Sequence, residues 1–97
     1  MRIRTHDEAI AEARAARLWY VEREPDVARA FMAALDRAVE LIVKMPNTWP
    51  VFEAGTRRYL LKNFPYYLIY REINNDIEVL AVMHERRRPG YWRHRLE

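Results

Sequence analysis

The stretch from Phe64 to Trp92 constrains this chain more than any other, because a β-sheet core and a dense arginine cluster meet within it. Tyr66 to Arg71 carries aromatic and β-branched residues suited to a pleated, buried surface. Val79 to Met83 is an unbroken apolar run too short for a typical helix. Both read as strands. Between them Asn74-Asn75-Asp76 supplies side chains that tolerate left-handed backbone, so Ile73 and Ile77 should flank a tight hairpin turn. Directly after the second strand come His84, Glu85, Arg86, Arg87 and Arg88. The sheet fixes the backbone of such a run while its side chains reach water, which suits a functional surface.

The preceding residues read as helices. Thr5 followed by Glu8 matches a capping box, predicting a helix that begins near His6. Its inner face is mostly small, with Ala9, Ala13, Ala16 and Tyr20 at helical spacing and Ile10 and Val21 alongside. Pro25 ends it, and a second helix follows in which Val27, Phe31, Leu35, Ala38, Ile42 and Met45 recur at steps of three or four. Pro46 stops the second helix, and the short connection at Pro25 makes the pair an antiparallel hairpin. Pro46-Asn47-Thr48-Trp49-Pro50 is a loop, and Arg57 to Asn63 a strand with Arg57, Tyr59 and Leu61 on one face and Arg58, Leu60 and Lys62 on the other. Arg2 to Arg4 could add a short edge strand centred on Ile3. Tyr91 to Leu96 is either a helical turn or a tail lying across the sheet. Residues 1–97 suit one α+β domain: an N-terminal antiparallel helical hairpin packed on a small, mainly antiparallel sheet, in the order β-α-α-β-β-β.

Charge is distributed unevenly. Residues 1–55 hold eight basic and nine acidic side chains, whereas residues 56–97 hold nine and five. Fifteen of the seventeen basic residues are arginine, whose fork suits phosphate, carboxylate and aromatic partners. The C-terminal half therefore points to an anionic partner, either nucleic acid or an acidic protein surface. Pairing of these arginines with carboxylates of the same chain is the plainer alternative. Without cysteine there are no disulfides and no thiolate metal sites, and His6, His84 and His94 lack close ligand spacing, so neither a metal nor another cofactor is expected. Only two glycines and no serine occur, which disfavours a phosphate loop and a serine nucleophile. No apolar stretch of about 18 residues could cross a bilayer, and no signal peptide opens the chain, so a cytoplasmic location without membrane contact is expected.

The order of elements, Phe64-Pro65-Tyr66-Tyr67-Leu68-Ile69-Tyr70-Arg71, and the run from His84 through Pro89-Gly90-Tyr91-Trp92-Arg93 together resemble the RelE/ParE superfamily. These are toxins of bacterial toxin–antitoxin (plasmid stabilization) modules. The resemblance covers essentially the whole chain, including Pro46-Asn47 and Arg57-Arg58. It implies neutralisation by a cognate antitoxin in a hetero-oligomer, the antitoxin wrapping the groove over the helices and the sheet edge. It also implies one of two activities. ParE-like members poison DNA gyrase by binding; the ending Pro89-Gly90-Tyr91-Trp92 is closer to these, and Arg86, Arg87, Arg88, Tyr91, Trp92 and Arg93 are then the target-binding candidates. RelE-like members cleave messenger RNA on the ribosome. That chemistry needs Arg57, Arg58 and Arg86 around the phosphate and proton transfer from His84, Glu85 or Tyr91, the tyrosine only if neighbouring arginines lower its pKa. Ribosome-dependent members tend to be lysine-rich, and this chain has only Lys44 and Lys62.

Overall fold

A computed structural model describes residues 2–97, and its elements follow the expected order. Strand β1 (Ile3–Thr5) leads into helix α1 (Asp7–Arg23), then helix α2 (Pro25–Lys44), and strands β2 (Arg57–Leu60), β3 (Tyr66–Ile73) and β4 (Asp76–His84). The sheet runs β1-β4-β3-β2; β1 is parallel to β4 and the other pairings are antiparallel. The cap of α1 differs from the capping-box expectation. Thr5 is spent as a strand residue opposite Val79, and His6 caps instead, its Nδ1 accepting the Glu8 N–H at 3.1 Å. Glu24 serves both helices, ending α1 and preceding Pro25 at the first position of α2, so the hairpin needs no longer loop.

Small residues on α1 bring the helices close to the sheet. Ala9 and Ala16 are buried beside Phe31, Leu35, Ala38 and Ile42 of α2 and Leu68, Tyr70, Ile77, Val79 and Val82 of the sheet. Val27 is only half-buried and Met45 is exposed, so the α2 stripe is narrower than its spacing suggests. At one end Tyr20, Phe31, Phe64 and Tyr66 form an aromatic cluster with ring centroids 5.3 to 5.5 Å apart. Tyr70 is buried, and its hydroxyl donates to the Pro46 carbonyl at 2.6 Å, tying the sheet to the end of α2. Tyr70→Phe orphans that carbonyl and is expected to cost about 1–2 kcal/mol in urea unfolding, with the fold unchanged.

The sheet is covered on both faces. Ile69, Leu80, Ala81, Met83 and Trp92 form a second core on the side away from the helices. Arg57 and Arg58 therefore each lie beside apolar packing, on opposite faces. The hairpin is tighter than expected. Asp76 pairs with Ile73, leaving Asn74 and Asn75 as the loop, with φ of 53° and 63° as a type I′ turn requires. β2 is shorter than expected, ending at Leu60, because Asn63 turns the chain with φ of 68°. A register shift at Ile69/Tyr70 leaves Leu80 as an extra residue on β4, which is why Leu80 and Ala81 both face the second core.

Candidate functional site

β1 ends at Thr5, opposite Val79, so the remainder of β4 has no strand on that side. An uncovered edge leaves backbone donors and acceptors unpaired. Here side chains close it. The Val82 N–H donates to Glu12 Oε1 at 3.0 Å, and the Leu80 carbonyl accepts from Arg95 Nη1 at 2.9 Å. Arg95 Nη1 and Nη2 also fork onto Glu12 at 2.8 and 3.1 Å, and Arg95 Nε lies 3.2 Å from Glu8. The Tyr91 hydroxyl completes the set, donating to Glu12 Oε2 at 2.5 Å. Glu12 thus accepts from four donors, the full capacity of a carboxylate.

This network fastens the C-terminal tail, and the tail carries the arginine turn. Leaving β4, the Glu85 N–H donates to the Pro65 carbonyl at 2.8 Å, the Arg87 N–H to the His84 carbonyl at 2.9 Å, and the Arg86 N–H to His84 Nδ1 at 3.0 Å. Gly90 takes a φ of 76° to turn the chain back, and Tyr91 packs under the turn with the Arg87 guanidinium 4.2 Å from its ring centroid. Arg86, Arg87 and Arg88 are exposed and, among the described residues, form no ion pair. The reading in which these arginines pair within the chain does not hold for them. Arg93 differs, with Nη2 3.2 Å from Glu53.

The nuclease candidates are only partly brought together. His84, Arg87 and Tyr91 line a cleft of about 450 Å³ with Trp19, Tyr20 and Tyr66. Arg57 and Arg58 do not line it. Arg57 Nη1 donates to the Trp49 carbonyl at 2.7 Å, and Arg58 lies over the Phe52 and Tyr67 rings on the other face. His84 has one ring nitrogen committed to the Arg86 N–H, and its ring meets Tyr66 edge-on at 5.1 Å. Trp92 requires a correction: at 0% exposure it closes the second core, its ring tilted by 34° to that of Phe52 with centroids 6.1 Å apart, so its side chain is withdrawn from any partner.

A family model described as the ParE toxin of type II toxin–antitoxin system, parDE, matches residues 3–89. The chain belongs to the ParE toxin family. It is similar to Toxin ParE2 of Mycobacterium tuberculosis, strains CDC 1551 / Oshkosh and ATCC 25618 / H37Rv, at 28% identity over 90 residues, covering 92% of this chain and 86% of that protein. A chain from the chromosomal ParDE TA system of P. aeruginosa shares the fold, with a TM-score of 0.76 at 20% identity over 87% of this chain and 95% of that one. The protein is thus a ParE toxin-family member of a type II toxin–antitoxin system, and none of its described helices is long and apolar enough to cross a membrane.

For this ParE-family chain the tyrosine behaves opposite to the requirement of a general base. Burial, reinforced by the Glu12 carboxylate, pushes the Tyr91 phenol well above the ordinary tyrosine range despite the nearby Arg95 and Arg87. A group whose pKa rises on folding stabilises the fold fully below its unfolded value, about 10 for tyrosine, and loses that contribution as pH climbs through the folded value. The unfolding free energy should therefore carry a tyrosine-dependent decline only above about pH 10, and Tyr91→Phe should reduce it in denaturant titrations across that range, leaving the part due to Tyr20, Tyr66 and Tyr70, whose phenols burial also pushes up. Glu12 and Arg95 were not singled out from the sequence. The available signal was an acidic residue three positions after Ala9 and four before Ala16, within the stripe that faces the core.

Proposed function

We propose that this toxin inhibits growth by binding DNA gyrase, and that the turn of Arg86, Arg87 and Arg88, with Arg93 and the open edge of Tyr91, is its contact. The observation that carries this reading is a braced turn presenting three guanidinium groups that, among the described residues, no carboxylate neutralises. Such groups form charge-assisted, bidentate hydrogen bonds to an acidic protein surface. Messenger RNA cleavage is less well supported. Two of its three phosphate candidates, Arg57 and Arg58, are engaged elsewhere, and Tyr91 is shifted away from a base. Trp92 acts in this reading as support beneath the turn.

The proposal includes a cognate antitoxin in a cytoplasmic hetero-oligomer. A groove of about 280 Å³ lined by Ile10, Ala13, Met32, Leu35 and Val39 suits the apolar face of an antitoxin helix. The exposed Leu60 at the end of edge strand β2 suits an extended segment.

Pulse-labelling of DNA and protein synthesis within minutes of induction, in a bacterium without the antitoxin, tests the target. DNA synthesis should stop first while translation continues; an early stop in translation would overturn the reading. Arg87→Ala is expected to weaken binding to purified gyrase by at least about tenfold while antitoxin binding persists.

A further inference from the structure

We propose that Glu12, on α1, is a positioning residue that orders Arg87 through Tyr91. This rests on the reading of the arginine turn as the target contact. Arg87 is exposed and, among the described residues, forms no ion pair, so an unsupported side chain there would sample many rotamers and lose that freedom on binding. It is supported by the Tyr91 ring, 4.2 Å below its guanidinium.

The ring is held in turn at its far end, where the hydroxyl reaches Glu12 Oε2 at 2.5 Å. Glu12 cannot swing away. Its Oε1 is held by the Val82 N–H at 3.0 Å and Arg95 Nη1 at 2.8 Å, and its Oε2 by Arg95 Nη2 at 3.1 Å. A continuous path of directional contacts therefore runs from the β4 backbone through Glu12 and Tyr91 to an exposed cation. A carboxylate is needed at its centre, because a glutamine would replace one acceptor oxygen with an NH2 facing donors. Glu12 touches no target in this scheme; it reduces the ordering that binding requires.

The test is a double-mutant cycle on the full chain, measuring affinity for purified gyrase in Arg87→Ala, Tyr91→Phe and the combined variant, with denaturant unfolding run on each. Tyr91→Phe keeps the ring and removes only the hydroxyl link. It should weaken binding about fivefold to tenfold, the scale of one hydrogen bond, and add little to Arg87→Ala in the combined variant. A Tyr91→Phe effect that persists undiminished without Arg87 overturns the positioning role, since a general structural or independent contact would add. Arg87→Ala without effect removes the target-contact reading instead. Positioning is also read without any target: Arg87 side-chain Nε relaxation should show greater ps–ns mobility in both Tyr91→Phe and Glu12→Gln, and unchanged mobility in both overturns the proposal.

Discussion

Glu12→Ala should lower the unfolding free energy by about 3–5 kcal/mol, the range for breaking a buried ion pair from one side. For a chain of this size that is a drop in Tm of roughly 12 °C or more. The lost attraction is the smaller part of the effect. Removing the carboxylate strands three donors at once: the Arg95 fork, 5% exposed, the Val82 N–H of β4, and the Tyr91 hydroxyl. A buried cation left with only the half-exposed Glu8 beside its Nε carries a desolvation penalty, and each orphaned neutral donor adds its own. Combining Glu12→Leu with Arg95→Met should recover part of the loss, since the charge is removed with its partner, but not all of it, because the Val82 N–H and the Leu80 carbonyl remain uncovered. Urea unfolding of the single and double variants checks both statements. A loss below about 1 kcal/mol for Glu12→Ala would mean that water replaces the carboxylate readily and that the tail is not fastened by it.

Trp92→Ala is expected to be comparably severe, about 3–5 kcal/mol, because a fully buried indole leaves a large void among Ile69, Leu80, Ala81 and Met83. Trp92→Phe should cost much less, under about 2 kcal/mol. The indole Nε1 is buried without an acceptor, so exchanging it for carbon sacrifices no hydrogen bond and removes an unpaired donor. The pair of variants also separates folding from recognition. If Trp92 supports the turn from beneath, Trp92→Phe retains growth inhibition while Trp92→Ala loses inhibition and stability together. Strong loss of inhibition in a stable Trp92→Phe protein would place the indole in direct contact with the target after all.

Local signals made most of the architecture legible from the residues alone. The spacing of Phe31, Leu35, Ala38 and Ile42, the helix-ending Pro25 and Pro46, the apolar run from Val79 to Met83 and the Asn-rich turn each act over a few neighbours. So do the arginine turn and the motif resemblance that pointed to this toxin family. Contacts between distant parts of the chain decided the rest. Trp92, a target-contact candidate by its motif, is buried because the tail folds back over the second face of the sheet, and Thr5 does not cap α1 because β4 recruits it into a strand. Glu12 meets Tyr91 and Arg95 across 79 and 83 residues of chain, drawn there because β1 leaves the end of β4 uncovered and its backbone groups must be paired. Periodicity shows which face of a helix turns inward. Which charged side chain on that face finds a partner depends on what the finished fold brings opposite it.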